Sequence, residues 1–313
     1  MTAPDDVVRL AEERDTARAA KDFVESDRLR DEIAARGWLV RDAADGWSLA
    51  EKPPYDVLPS VRDLPDRSGQ PSTRPCTVAL LVDGWPEDVR TCVQALLEHA
   101  PERLDLVVVL LENGTTDAGG VVHELARDPR VEELHVASPA GWGEARQALL
   151  AYDVADIHVL MDVSTVLEGD ALEPLLAAFE DPEVVGAGWR GVNVKDGWTE
   201  FADAGPGKVE ALLGYLFAVR RSGALATPIP TKARFYRNAD IEWSYLLRDA
   251  GAGVLVALDL PVRQARHRGY HDSDPAYRDK ESRRTYDRFL QRFRGREELR
   301  LSGDTQVPTQ GRP

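Results

Sequence analysis

Residues 106–111, Leu-Val-Val-Val-Leu-Leu, are consecutive aliphatic side chains that stop abruptly at Glu112-Asn113-Gly114-Thr115-Thr116-Asp117. An apolar run rich in valine, with no polar alternation, suits a strand covered on both faces. Such a strand needs a helix above and below it, which points to an α/β sheet. In open α/β sheets, ligands collect outside the carboxyl ends of the strands. The design recurs where Ile157-His158-Val159-Leu160-Met161 runs into Asp162-Val163-Ser164-Thr165. Two acidic strand ends in one sheet predict a pocket for a nucleotide and a cation.

The flanking pattern supplies the rest of the sheet. Residues 77–82 are a strand, and 86–99 a helix with Pro86 in its first turn and Val89, Val93, Leu96 and Leu97 on one face. Helices are expected over 121–127, 144–152, 170–180 and 241–250, strands over 133–136, 184–190 and 198–201, and a further apolar stretch over 213–220. Repeated β and α elements with short loops imply a largely parallel sheet between helices. Ahead of this domain, residues 7–36 form a charged helical region closed by Gly37. Trp38-Leu39-Val40 and Trp47-Ser48-Leu49 then flank a turn at Asp45-Gly46. The predicted organisation is a helical and β-hairpin module at 1–50, a mobile proline-rich linker at 51–75, the main domain at 76–280, an arginine-rich amphipathic helix at 281–301 and a disordered tail at 302–313.

Composition excludes several classes. A net charge of -15 would repel phosphates, so no strong nucleic-acid binding is expected. No apolar run reaches the roughly 20 residues of a membrane span, and the acidic amino terminus is unlike a secretory signal. The expected location is the cytoplasm, with peripheral membrane attachment allowed. Cys76 and Cys92 lack any C-x-x-C or histidine companion and are expected to be buried thiols.

From Cys76 to about Asp272 the chain resembles family 2 glycosyltransferases of GT-A fold, which use nucleotide-sugar donors and usually invert the anomeric centre. Glu112-Asn113-Gly114-Thr115-Thr116-Asp117 is similar to the family's D-N-G-S-T-D segment along the nucleoside, with glutamate for the first aspartate. Gly141-Trp142-Gly143-Glu144-Ala145-Arg146-Gln147 resembles the glycine-led A-R-N loop, and Asp162-Val163-Ser164 falls at the D-x-D metal motif with Ser164 for the second carboxylate. Asp240-Ile241-Glu242 resembles the E-D-x-D segment, with Ala239 for its glutamate, and His267 falls at the late histidine near metal and phosphates. The resemblance implies a GT-A-like mixed, mostly parallel sheet flanked by helices. It implies Glu112, Asn113, Asp117, Arg146, Asp162 and Ser164 as donor-binding residues, Asp162 and His267 as ligands of a manganese or magnesium ion, and Asp240 as the base that deprotonates an acceptor hydroxyl. Residues 14–47 resemble the carboxy-terminal helical segment of cysteinyl-tRNA synthetases, through Ala17-Arg18-Ala19-Ala20-Lys21-Asp22-Phe23 and Ser26-Asp27-Arg28-Leu29-Arg30-Asp31-Glu32. The synthetase signatures H-I-G-H and K-M-S-K-S are absent from the chain.

Each residue has a plainer alternative. Asp240 precedes a helix and could cap it. Asp162 could start a turn, His267 could be an ordinary surface histidine, and the basic cluster 263–271 could either stabilise a diphosphate leaving group or be a solvated loop. Arg14, Arg18, Lys21, Arg28 and Arg30 could touch RNA or form a salt-bridged helix face. The function implied is sugar transfer from a nucleotide-diphosphate donor to an unidentified acceptor in cell-envelope polysaccharide or glycoconjugate synthesis. The alternatives are a nucleotide-sugar-binding protein without efficient catalysis, and an RNA- or protein-docking adaptor.

Overall fold

The computed structural model describes residues 2–43, 46–115, 117–251 and 253–301. Thr116, the turn residue Asp45 and the tail 302–313 lie outside them. Two compact units divide the chain after Asp56.

The first unit holds α1 (Asp5–Ala19), α2 (Phe23–Ala35) and the antiparallel strands β1 (Trp38–Ala43) and β2 (Gly46–Glu51). The charged region predicted over 7–36 is therefore two helices. The Asp22 carboxylate accepts the Glu25 N–H at 3.1 Å to start α2, and Gly37, at φ 79°, lets the chain leave it. Val7, Leu10, Ala11, Leu29, Ile33 and Trp38 form the core. Arg14 is buried with both Nη atoms on Asp42, at 2.8 and 2.9 Å, and Arg18 pairs with the same carboxylate. Arg28 bridges Glu25 and Glu32, and Arg30 pairs with Asp27. All four arginines are therefore paired within the unit, Arg14 and Arg18 to strand β1 and Arg28 and Arg30 along α2.

The second unit runs β3 (Arg74–Val82), α3 (Pro86–His99), β4 (Leu106–Asn113), α4 (Gly119–Leu125), β5 (Val131–Val136), α5 (Trp142–Tyr152), β6 (Ala155–Met161), β7 (Thr165–Leu167) and α6 (Leu172–Ala177). It continues with β8 (Val184–Gly188), β9 (Gly191–Val194), β10 (Phe201–Ala204), β11 (Gly207–Val209), β12 (Ala211–Leu212), β13 (Leu216–Arg220), α7 (Arg221–Ala226), α8 (Ala239–Gly251), β14 (Val254–Ala257), β15 (Val262–Gln264), α9 (Arg268–His271) and α10 (Pro275–Phe293). Eight strands form one sheet in the order β11-β14-β8-β13-β6-β3-β4-β5. The ladders β3–β4, β3–β6, β4–β5 and β8–β14 are parallel, while β13 runs antiparallel between β6 and β8, and β11 runs antiparallel at the edge. The sheet is mixed and mostly parallel.

Helices cover both faces, as the uninterrupted aliphatic strands require. Val93 and Leu96 of α3, Val121 and Val122 of α4, and Leu172 and Leu175 of α6 pack on one face. Ala145 and Leu149 of α5, Ala224 of α7, and Trp243 and Leu247 of α8 pack on the other. A third cluster joins the β9–β10 ribbon to α8 and α10 through Val192, Trp198, Tyr245, Phe289 and Phe293.

Two segments depart from expectation. The proline-rich stretch packs on this unit from Val57 onward instead of running as a mobile linker. Leu58 exchanges backbone hydrogen bonds with His135 and Ala137 at 2.9 and 2.8 Å, and Val61 and Leu64 are buried. Prolines remove periodicity, yet apolar anchors at 58, 61 and 64 seat the chain together with backbone hydrogen bonds from Arg67 to Ala151 and from Thr73 to Val154, each 2.8 Å. The terminal helix starts at Pro275, where Asp274 accepts the Tyr277 N–H at 2.7 Å, and stops at Phe293 before Gly295 at φ 85°. The expected span 281–301 missed that cap. The strand expected at 198–201 is β10, displaced by the turn that buries Trp198.

Candidate functional site

The parallel ladders set Val82 opposite Glu112 and Leu80 opposite Met161, so β3, β4 and β6 end together. Their next or last polar residues, Asp83, Asn113 and Asp162, face one cavity of about 370 Å³. Asn113 is buried and fixes two loops. Its amide N donates to Asp83 at 2.7 Å and to the Ala140 carbonyl at 3.1 Å, while its oxygen accepts the Ala140 N–H at 2.8 Å. Gly114 follows at φ 72°, and a Cβ there would lie 2.9 Å from the Pro139 nitrogen, so only glycine fits beneath that loop.

Asp162 is held on every side. Its N–H donates to the Tyr215 carbonyl at 3.0 Å, and one carboxylate oxygen accepts the Ser164 N–H at 2.8 Å and the Ser164 hydroxyl. The other oxygen meets His267 Nε2 at 2.9 Å. The β7–β15 ribbon, with Thr165 opposite Gln264, delivers that histidine. His267 Nδ1 accepts the Tyr270 N–H at 3.1 Å, and its ring stacks on Tyr236 with centroids 4.6 Å apart. Burial alone would raise the Asp162 carboxyl, but the His267 charge and hydrogen bond, with those of Ser164, outweigh it and hold the pKa at about 2. Burial opposes charge on His267, and the Asp162 carboxylate overrides it, raising that pKa.

The remaining wall is basic. Arg234 donates to the Ala140 carbonyl at 2.9 Å, Arg268 lies 3.2 Å from Asp88, and Arg266 pairs with Asp272. All three line the cavity with Trp85, Trp142 and Tyr236. Arg146 closes the floor, its Nη atoms donating to the Ala79 and Met161 carbonyls at 2.6 and 2.8 Å. Burial lowers its pKa to about 10. Gly141 and Gly143 serve packing. The Trp142 and Gly143 N–H groups donate to the Arg234 and Ala233 carbonyls at 3.1 and 2.9 Å, so the start of α5 is satisfied by protein and the 230–234 loop is pinned over it.

Of the predicted site residues, Asn113, Arg146, Asp162 and His267 line this cavity. Glu112 and Ser164 stand behind it. Glu112 is buried, accepting the Thr115 N–H and the Thr115 hydroxyl, the latter at 2.7 Å, and so shapes the turn instead of facing the opening. Asp117 is exposed beside Gly84 and outside the lining. Asp240 is also outside it. Its carboxylate is buried, accepting the Gly214 N–H at 2.9 Å and the Ile241 N–H at 2.8 Å. Burial pushes its pKa up to about 6 against those backbone donors. Asp83, Arg234 and Tyr236 were not anticipated. Asp83 obeys the rule that found Asp162, an aliphatic strand ending in a carboxylate, whereas Arg234 and Tyr236 stand on an irregular loop without a pattern.

Comparison with known proteins agrees with this geometry. The model of glycosyl transferase family 2 matches residues 84–243, about half of the chain. Among solved structures, the mannosyltransferase PcManGT of Pyrobaculum calidifontis in complex with GDP-Man and Mn2+ superposes with a TM-score of 0.56 at 17% identity, covering 79% of this chain and 72% of that one. GalNAc-T7 with UDP, GalNAc and Mn2+ gives 0.55 at 13% identity, covering 70% and 48%. These likenesses establish the GT-A fold. The amino-terminal segment is similar to cysteine–tRNA ligases, 54% identical over 46 residues in Opitutus terrae and 49% over 46 in Chlamydia muridarum. The match spans 10% of the length of each ligase.

Among the described residues no group of three or more His, Cys, Asp or Glu side chains is placed to hold a metal ion. The cavity lining holds the carboxylates of Asp83, Asp88 and Asp162 and one imidazole, His267, and of these Asp162 and His267 are in contact with each other. That set fits a hard cation that keeps waters and takes its other ligands from substrate phosphates, as magnesium commonly does.

Proposed function

This chain belongs to glycosyl transferase family 2, and on that premise we propose that it moves a sugar from a nucleotide-diphosphate donor in this cavity to an acceptor hydroxyl, with inversion. The observation that carries the reading is a single cavity at the strand ends whose lining combines polar strand-end residues with four cationic or imidazole side chains. Asp83 and Asn113 at the strand ends offer hydrogen bonds to a nucleoside, and His267, Arg234, Arg266 and Arg268 in the same lining offer positive charge to a diphosphate. The acceptor oxygen bonds to the anomeric carbon as the bond from that carbon to the diphosphate breaks. The guanidinium groups take up charge on the departing diphosphate.

Asp240 is the proposed base that receives the acceptor proton. A pKa near 6 suits that work at neutral pH. In the resting structure Gly214 and Ile241 occupy its carboxylate, so the role requires the Gly214 turn to release it when substrates bind. A divalent cation arriving with the donor would be held by Asp162 and His267, and would supply further neutralisation of the diphosphate.

A thermal-shift series with UDP, GDP, CDP and dTDP, with and without manganese, tests the reading. A ligand at 100 times its Kd stabilises a fold by about 2.7 kcal/mol. A selective shift names the donor base. Absence of any shift, confirmed by calorimetric titration, overturns the assignment of the cavity.

A further inference from the structure

Beyond the loop that walls the donor cavity lies a second groove. Phe235 and Tyr236 line the cavity, and the next two residues, Arg237 and Asn238, line the groove with Thr199, Glu200, Phe201, Ser282, Arg283 and Tyr286. Helix α10 also serves both, through Tyr277 on the cavity and Ser282, Arg283 and Tyr286 on the groove. Five to nine residues of helix separate these positions, about 8–14 Å of axial rise. The span is that of a sugar ring or two. Asn238 sits at φ 66° and donates from its side-chain amide to the Ser282 carbonyl at 3.3 Å, tying the loop to α10 at the seam. Asparagine is among the residues that adopt this left-handed conformation readily, so the turn and its tie to α10 are compatible.

The groove's charge is unusual for this molecule. The chain has 54 acidic and 39 basic side chains, and most of its arginines are paired, among them Arg14, Arg28, Arg90, Arg130, Arg266 and Arg288. Arg237 and Arg283 are exposed, and among the described residues neither has a carboxylate partner. Arg237 also lies near enough to Asp240 to stabilise its charged form. Two guanidinium groups without a carboxylate partner share this lining with Phe201 and Tyr286, and the groove's one carboxylate, Glu200, is already held by Lys195 at 2.9 Å, so beside the proposed donor site the groove suits an anionic sugar. The rings of Phe201 and Tyr286 offer apolar faces to the pyranose, and the guanidinium groups offer paired donors to a carboxylate or phosphate.

We propose that this groove is the acceptor subsite and that the acceptor bears an anionic group, a uronate carboxylate or a sugar phosphate, held by Arg237 and Arg283. The proposal rests on the glycosyltransferase reading above and narrows its acceptor. The test is saturation-transfer NMR on the full chain with UDP or GDP present, using methyl glucuronide, glucose 6-phosphate and methyl glucoside at matched ionic strength. Expected is saturable binding of an anionic sugar at least about tenfold tighter than the neutral glucoside. The two anionic arms tell carboxylate from phosphate. The double variant R237Q/R283Q should lose the preference. R284Q, which removes one charge from the same helix at a residue paired with Glu281, should keep it.

Equal binding of all three sugars overturns the proposal, as does a preference that survives in R237Q/R283Q or disappears equally in R284Q. Nucleotide binding is read in the same samples. Nucleotide bound without anion preference refutes the subsite alone, whereas no nucleotide bound at any concentration refutes the donor reading beneath it.

Discussion

At the scale of single residues, the proposed mechanism turns on two carboxylates whose environments drive them apart. Asp162 is held near 2 and Asp240 near 6, the first by an imidazolium and a hydroxyl, the second by burial. A base must be unprotonated, so kcat/KM should fall about tenfold per pH unit below 6 and level off above it. A profile flat from pH 5 to 8 would remove Asp240 from the base role. Linkage gives the two groups opposite signs. Asp162 has a folded pKa below its unfolded value, so its stabilisation is present above about pH 4 and lost as pH falls toward 2. Asp240 has a raised folded pKa, so its contribution is present below about pH 4 and lost as pH rises through 6. Ser164 supplies a third case. Replacing it with aspartate sets a second carboxylate against Asp162 in a buried place, and Ser164→Asp should lower Tm in metal-free buffer by several degrees. Manganese should restore most of that loss and bind more tightly than to the parent chain, measurable by calorimetry with and without the ion. A variant as stable as the parent without metal would show that the site tolerates two charges unaided.

At the scale of elements, the loop over the start of α5 decides whether the cavity has its basic wall. A Cβ at Gly143 would lie 2.0 Å from the Pro230 carbonyl oxygen, which is backbone and cannot swing aside. Gly143→Ala should therefore displace the 230–234 loop and cost about 1–3 kcal/mol, as overpacking commonly does. Because Arg234 rides on that loop, nucleotide affinity should weaken in the same variant at temperatures where it remains folded. Unchanged stability in urea denaturation would contradict the contact. Legibility follows the same division between regular and irregular backbone. The aliphatic runs at 77–82, 106–111 and 157–161 identified β3, β4 and β6, because a strand buried on both faces has few other compositions. The carboxylates at the ends of β3 and β6 and the amide at the end of β4 then stand at the cavity by sheet geometry alone. The direction of the Asp240 side chain was not legible, since it is set by the Gly214 N–H, 26 residues away and in no periodic element. The same is true of Arg234 and Tyr236. The seating of 57–75 depended on three scattered apolar residues and on backbone hydrogen bonds, which proline composition concealed.

At the scale of the molecule, function and fold divide along the chain. Among the described residues, those lining the proposed donor cavity lie between Leu81 and Tyr277, and those lining the second groove lie between Thr199 and Tyr286. All belong to the unit that begins at Val57. The amino-terminal unit has its own core of six buried apolar residues and its own ion pairs, so its side chains are spent on holding two helices and a hairpin together. A chain beginning at Val57 should therefore fold, keep the thermal shift produced by its preferred nucleotide, and bind that nucleotide within about twofold of the full chain's affinity, well under the tenfold that 1.4 kcal/mol represents. Calorimetric titration of the two chains side by side measures this. A loss of affinity in the shortened chain would mean that residues before Val57 act on a cavity they do not line. Equal affinity would assign donor binding to the glycosyltransferase unit alone and leave the amino-terminal module a task separate from it.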